Sequence, residues 1–506
     1  MGMKRSDKKI IMILLAAIFL VTACNFPLKP GSVKLKRYPT LDPAIFDVHQ
    51  TPTAPAPLNQ STSERIEIES TPSIIEASIF YTAQSGDTLN TVAKHFSIDA
   101  GQITSSEAIP LKGLINPGQK LVIPLTEVNA HFMPLILPDS AVIHSPCSWD
   151  FNVTDYVSGA GGYLAFLEQK VGNEILSGAE IIQRVAENNS INPRLLLALV
   201  EFRSGWVFRY DTSPDTIHPL DLGLANYEGF YLELAAAARL INTGYYYWRE
   251  GKLSEITFTD LRSQHIPSNL NAGSVGIEYL FAQMYPSYAL ENVLYGEGGF
   301  IPLYHSMFGN PWECARSVEP LFPGGLQPPN LELPFAAGET WALTGGLHSD
   351  WNSGTPMGAL DFAPVTGEAV CAVSQAWVRA SAPGVVTHSA NGMVILSIED
   401  ALGQPTGWQV VYMHIAASGR ASVGTHLNTG DPIGHPSCEG GAATGTHVHM
   451  TRKYKGEWIG AEDPFPFTLS GYTALTGMPV FQGGLVNGAR IITPRQDARA
   501  DSIIIR

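Results

Sequence analysis

Charge is scarce in this 506-residue chain: Asp, Glu, Lys and Arg make up only 15% of it, and the basic residues are outnumbered 31 to 46. A formal net charge of −15 gives no basic field with which to grip nucleic acid or an anionic bilayer, so no nucleic-acid partner is expected. No internal apolar run approaches the roughly 18 residues of a membrane-spanning helix. Cysteine is also rare, with five in all. Hydrophobic residues are not rare: at 45% they exclude a disordered acidic chain. Glycine (48) and proline (36) mark many turns and linkers rather than one long helical body. The length suggests about three domains at roughly 150 residues each.

The N-terminus reads as a targeting segment. Lys4, Arg5, Lys8 and Lys9 precede an apolar stretch, Ile10 to Val21, of secretory rather than spanning length. It closes on Val21-Thr22-Ala23-Cys24, which resembles the lipobox of bacterial lipoproteins. That resemblance implies a signal peptide over 1–23, a lipid on Cys24, and a membrane partner reached through that lipid. The chain is then exported, anchored to the outer face of the cell membrane and associated with the cell wall. Residues 24–77, rich in Pro, Thr and Ser, read as an extended tether. With Cys24 lipidated, Cys147, Cys314, Cys371 and Cys438 remain, and an oxidising location permits disulfides. Three pairings are open; Cys147 with Cys314 and Cys371 with Cys438 closes each loop within its own domain.

Residues 78–125 form a small unit. Ser78 to Thr82 alternates like a strand, and Ser85-Gly86-Asp87-Thr88 turns into a helix carrying Leu89, Val92, Ala93 and Phe96. A second short helix is expected over Ile103 to Ala108. Asn116-Pro117-Gly118-Gln119 then turns into a strand, Lys120 to Pro124. The βααβ order, with Gly86-Asp87-Thr88-Leu89 and Pro117-Gly118-Gln119-Lys120-Leu121, resembles LysM modules, which bind N-acetylglucosamine-containing glycans. The resemblance implies a glycan groove at Gly86, Asp87, Thr88, Leu114, Ile115 and Asn116, directed at peptidoglycan. Thr104-Ser105-Ser106-Glu107 stands where the family usually carries an Asn, so the match carries the fold further than the affinity.

Residues 147–316 show helical periodicity at Ala179–Ala186, from Asn192-Pro193 through Val200, at Tyr231–Leu240 and at Val275–Met284. The stretch Ile191 to Trp206 resembles lytic transglycosylases and related glycosidases, which implies an all-α, lysozyme-like domain. In those enzymes the catalytic Glu directly precedes the Ser; here Arg203 precedes Ser204, and Arg cannot protonate a leaving oxygen. Glu201 lies about 200° round the helix from that position. The domain is therefore expected to be inactive, serving as a spacer or glycan cradle. A glycosidase built on Glu201 is a competing reading. The aromatic run Tyr245-Tyr246-Tyr247-Trp248 is assigned to the core. Proline and glycine at 317–333 mark a linker.

Residues 334–506 read as antiparallel β-sheet with a C-terminal extension. In Thr446-His447-Val448-His449-Met450 a strand would project both histidines to one face. Gly430-Asp431-Pro432-Ile433-Gly434 and the Gly-rich 440–445 precede it, and Tyr412-Met413-His414 supplies a further histidine. Together these resemble the lysostaphin-type zinc endopeptidases of bacterial cell walls. The family's usual His lies four residues before the Asp, but Met357 occupies that position relative to Asp361. His348 lies 13 residues upstream, a spacing that resembles the beta-lytic and staphylolysin branch. The resemblance implies His348, Asp361 and His449 as ligands of one Zn2+ per chain, with His414, His447 and Tyr412 catalytic and the peptide of peptidoglycan as substrate. Tyr412 is expected on the face of His414. Asp350 is a rival carboxylate; His388, His426 and His435 are set aside as structural. The alternative to a zinc peptidase is a non-catalytic wall-binding scaffold or an activator of another hydrolase.

Overall fold

A computed structural model describes residues 77–126, 131–210, 214–224, 226–351 and 354–506. The signal segment, Cys24 and the tether up to residue 76 lie outside the described residues. Every element below belongs to the larger of two compact units, Gln60–Leu222 with Asn226–Arg506.

The strands Ser78–Thr82 and Lys120–Pro124 pair antiparallel. Between them the helix Leu89–His95 starts on Thr88, whose hydroxyl accepts the Thr91 N–H in a reciprocal capping box. Val92, Phe96, Ile115, Leu121 and Ile123 form this unit's core. No helix covers Ile103 to Ala108. A single 3-10 turn, Ala100–Gln102, comes first, and Thr104 then bridges to Val122 through two backbone hydrogen bonds. Short polar residues such as Thr104 and Ser105 bond to nearby backbone more readily than they continue a helix, which accounts for the difference.

The middle region is mainly helical. The helix Gly178–Asn189 begins on a Ser177–Glu180 capping box, and Pro193–Ser204 on Asn192 with Pro at its first turn. The long helix Phe230–Arg249 packs on Ala272–Ala282, and a Cβ added at Gly244 would meet Tyr279 and the Val275 carbonyl. Tyr245, Tyr246 and Trp248 are buried along it. The region is not all-α: two antiparallel hairpins, Glu168–Val171 with Glu174–Ser177 and Glu255–Thr257 with Ser263–His265, interrupt the helices. Their strands are only three or four residues long, too short to stand out beside the longer helical periodicities. Cys147 and Cys314 are bridged.

The C-terminal region is built on one antiparallel sheet. Its strands run in the order His426–Leu427, Gly384–Ala390, Met393–Glu399, Pro405–Met413, Val448–Tyr454, Met357–Pro364, Thr340–Ser349 and Ile503–Ile505, with Glu457–Trp458 paired to Val448–Tyr454. Residues alternate between faces as the pleat requires. Leu343, Leu360, Phe362, Val410, Tyr412, Val448 and Met450 share one hydrophobic core. Asp361, His449 and Thr451 point the other way. A four-stranded sheet, Thr468–Leu469, Tyr472–Thr476, Gly483–Asn487 and Arg490–Ile492, follows. Cys371 and Cys438 are bridged.

One largely covered side chain joins all three regions. Arg249 makes ion pairs with Asp139 at 2.7 Å and Glu457 at 2.8 Å, bonds to the Tyr245 hydroxyl, and donates to the carbonyl of Ser85. An unpaired guanidinium could not be buried at this position; two carboxylates make it tolerable.

Candidate metal centre

Asp361 and His449 sit directly opposite one another on paired strands, and His348 comes from the next strand out. Directly opposed residues on one face bring their side chains together. The pairing of Thr340–Ser349 shifts register near Gly345 and again at His348. Such irregularities re-aim a side chain, here the His348 imidazole toward the pair. A Cβ at Gly345 would collide with the Asp361 carboxylate, so glycine keeps that space open. The 13-residue spacing from His348 to Asp361 is thus that of two paired strands.

The ligand-type atoms of His348, Asp361 and His449 all lie within 4.8 Å of one another. Nε2 of His348 is 3.0 Å from Nδ1 of His449; these nitrogens are 3.4 and 3.3 Å from Asp361 Oδ1. Donor atoms around a tetrahedral ion with bonds of about 2.0 Å are separated by about 3.3 Å. The rings' other nitrogens are already engaged. His348 Nδ1–H donates to the Gly346 carbonyl at 2.8 Å, and His449 Nε2–H to the Asp350 carbonyl at 3.0 Å. These bonds select the tautomers that leave both lone pairs facing inward. Asp361 Oδ1 is buried and accepts no hydrogen bond. Two imidazoles and one carboxylate suit a borderline divalent ion.

Two more histidines border this cluster. His447 donates from Nδ1 to the Gly445 carbonyl at 2.7 Å, and its Nε2 lies 3.7 Å from Asp361 Oδ1. His414 donates from Nδ1 to the Glu439 carbonyl at 3.1 Å, with its ring centroid 4.4 Å from that of His447. In the neutral form of either ring Nε2 would be left as an acceptor. Burial, reinforced by His447 and His449, pushes the His414 pKa down to about 4, so this ring is neutral near pH 7.

Tyr412 does not join them. Its hydroxyl accepts the Ser381 N–H at 2.8 Å inside the hydrophobic core. The strand ends at Met413, and His414 adopts a left-handed conformation at φ 63°. The alternation that would put Tyr412 beside His414 stops one residue too early. Asp350 also stays out of the cluster. Its carboxylate is buried against Thr451, and only its backbone carbonyl reaches His449. His388, His426 and His435 pair with Glu187, Glu399 and the Ala376 carbonyl. The carbonyl partners at Asp350 and Glu439, and Phe481, whose ring stacks on His348, left no signal in the sequence.

The loops expected to form a glycan groove are largely covered. Gly86, Asp87, Thr88 and Ile115 are buried, Leu114 is half-buried, and only Asn116 is exposed. Asp87 accepts from Tyr81 and from the Gln84 N–H, and a Cβ at Gly86 would strike Arg249. Leu114 packs on the large C-terminal core, and Asn116 abuts Gly324. In the helical region Glu201 accepts the N–H groups of Val207 and Phe208, closing a turn. Arg203 ties the Leu220 carbonyl to the Tyr285 hydroxyl. Both side chains hold the backbone in place.

Residues 81–124 match the LysM domain family, and residues 135–322 match the family described as "LasA, N-terminal domain". That second match falls on the stretch where the sequence suggested lysozyme-like relatives. Protease LasA of Pseudomonas aeruginosa is 25% identical over 303 residues, 56% of this chain and 67% of the relative. The beta-lytic metalloendopeptidase of Lysobacter enzymogenes is 30% identical over 159 residues, 30% of this chain and 79% of the relative. Among solved structures, the M23 metalloprotease pseudoalterin is 22% identical, covers 36% of this chain and all of its own, and has a TM-score of 0.29.

Proposed function

The chain belongs to the beta-lytic metalloendopeptidase family, and on that premise we propose that it is a zinc-dependent endopeptidase that cuts stem or cross-bridge peptides of peptidoglycan. The observation that carries this reading is the convergence of His348, Asp361 and His449, with two further imidazoles beside them. These three residues would hold one zinc ion. When bound, zinc supplies Lewis-acid chemistry, polarising a carbonyl and acidifying water.

The chain's own residues do the rest. His414 and His447 each have Nδ1 fixed on a carbonyl, and His447 presents Nε2 toward Asp361 while the His414 ring lies beside it. One accepts the proton of the attacking water, and one delivers a proton to the leaving amine. In its protonated form either ring donates a hydrogen bond to the developing oxyanion. The Gly346 and Asp350 carbonyls keep the ligand tautomers fixed throughout.

Further proposals complete the picture. A signal peptide over 1–23 and a lipid on Cys24 place the protein at the outer face of the membrane. A tether at 24–77 leads to the LysM module at 78–125. The helical region at 147–316 is inactive as a glycosidase, and a linker at 317–333 leads to the peptidase at 334–506. An affinity of the LysM module for wall glycan would raise the local concentration of peptide, and it would need a surface other than the covered loops at Gly86, Asp87, Thr88 and Ile115.

Mass spectrometry of digested peptidoglycan tests the central claim. The wild-type chain is expected to carry about one zinc and to release peptide-cut muropeptides. His449→Ala, or a chelator, is expected to abolish both. A metal-free wild-type chain that cuts nothing favours the wall-binding scaffold. Chelator-resistant release of glycan reducing ends would point to Glu201.

A further inference from the structure

Between the strands Tyr472–Thr476 and Gly483–Asn487, the tip of the hairpin leaves its own sheet and docks on the strand that carries His348. Two backbone hydrogen bonds hold it: Gly346 N–H donates to the Phe481 carbonyl at 2.9 Å, and Phe481 N–H to the Leu347 carbonyl at 3.2 Å. Glycine at 346 permits the approach, since a Cβ there would run into the Gln482 and Phe481 carbonyls. The Phe481 ring lies on the His348 imidazole, with centroids 4.2 Å apart and planes at 24°.

Stability does not explain this arrangement. Phe481 is held at φ 72°, a left-handed conformation that costs a bulky residue about 1–3 kcal/mol. The residue is 50% exposed, with Met478 88% and Val480 42% exposed beside it. A strained backbone and a cluster of wet apolar surface are both unfavourable in the free chain. The wet apolar surface is accounted for when an extended substrate covers the ring. The position is continuous with the candidate centre, because the ring touches one of its three ligand-type side chains.

We propose that Phe481, flanked by Val480 and Met478, forms the apolar wall of the substrate cleft next to the scissile bond. The chain would then prefer links flanked on that side by an uncharged apolar residue. This inference rests on the peptidase reading above. An aromatic face gains by covering an alanine-like side chain and loses by stripping water from a carboxylate or ammonium group. Among wall peptides, the wall thus selects alanine-type neighbours over acidic or basic ones. Phe481 contacts substrate without moving protons, so its removal acts on binding.

The test uses the full zinc-loaded chain and quenched fluorescent peptides of the form X-Gly-Gly and Gly-Gly-X, with X as Ala, Leu, Glu or Lys. The wild type is expected to discriminate against Glu and Lys on one side by about tenfold or more in kcat/KM. Phe481→Ala should lose most of that preference through KM, Phe481→Leu should retain part of it, and zinc content should not change. An unchanged preference in Phe481→Ala overturns the inference. So does a loss of zinc with an equal fall in rate on every peptide, which would make the ring a mere buttress of His348. A wild type that holds zinc but cuts no peptide overturns the peptidase reading, and the substrate wall with it.

Discussion

His414 and His447 are oriented by loop carbonyls, whereas His348, Asp361 and His449 are set by paired strands. That separation makes the two groups distinguishable by mutation. His414→Ala and His447→Ala are each expected to keep the metal while kcat falls by about 10²–10⁴, the usual contribution of a general acid or base. Metal analysis alongside turnover checks this; loss of metal in either variant would move that histidine into the ligand set. The sequence revealed this centre unevenly. The His447-Val448-His449 pattern needs only the period of a strand, and the distance from His348 to Asp361 needs only a turn between two strands. Tyr412 was misplaced because nothing in Tyr412-Met413-His414 announces that the strand ends and His414 turns left-handed. Phe481 was invisible because its partner is 133 residues away, across a separate sheet.

The helix Ala272–Ala282 carries a carboxyl with no ion pair among the described residues, Glu278. Burial pushes its pKa to about 7, from about 4.5 in the unfolded chain. Between those values the folded state keeps a proton that the unfolded state releases, so stability falls as pH rises through that window. Glu278→Gln is therefore expected to stabilise the protein at pH 8 by up to about 3 kcal/mol, at 1.36 kcal/mol per unit, and to change little at pH 4. Urea melts at the two pH values would show it; an equal gain at both would mean that ionisation is not the cause. Elements with strong periodicity and good caps, such as Gly178–Asn189 and Pro193–Ser204, were legible beforehand. The hairpins of the middle region and the missing second LysM helix were not, because segments of three to six residues carry too little periodicity to separate from turns.

In the whole molecule the LysM module, the helical region and the peptidase sheet meet at Arg249. Replacing it leaves Asp139 and Glu457 buried and unpaired, so Arg249→Ala is expected to lower stability by about 3–5 kcal/mol. Thermal melts would check this, and a change below 1 kcal/mol would show that water already reaches the junction. Such packing could not be anticipated from a module boundary: LysM residues matched a glycan groove by motif, yet the same loops serve as a contact surface for Arg249, Gly324 and the large core. The bridge at Cys438 has a further consequence. It immediately precedes Glu439, whose carbonyl sets the His414 ring. While its thiols are reduced, as in a cytosol, the chain can already gather its three ligand-type side chains, but the loop that aims His414 lacks its covalent anchor and rests on the hydrogen bonds of Glu439 with Ala417 and Ser437. On the proposed export route, that covalent anchor would form only outside the cytosol, on the side where the proposed wall substrate lies.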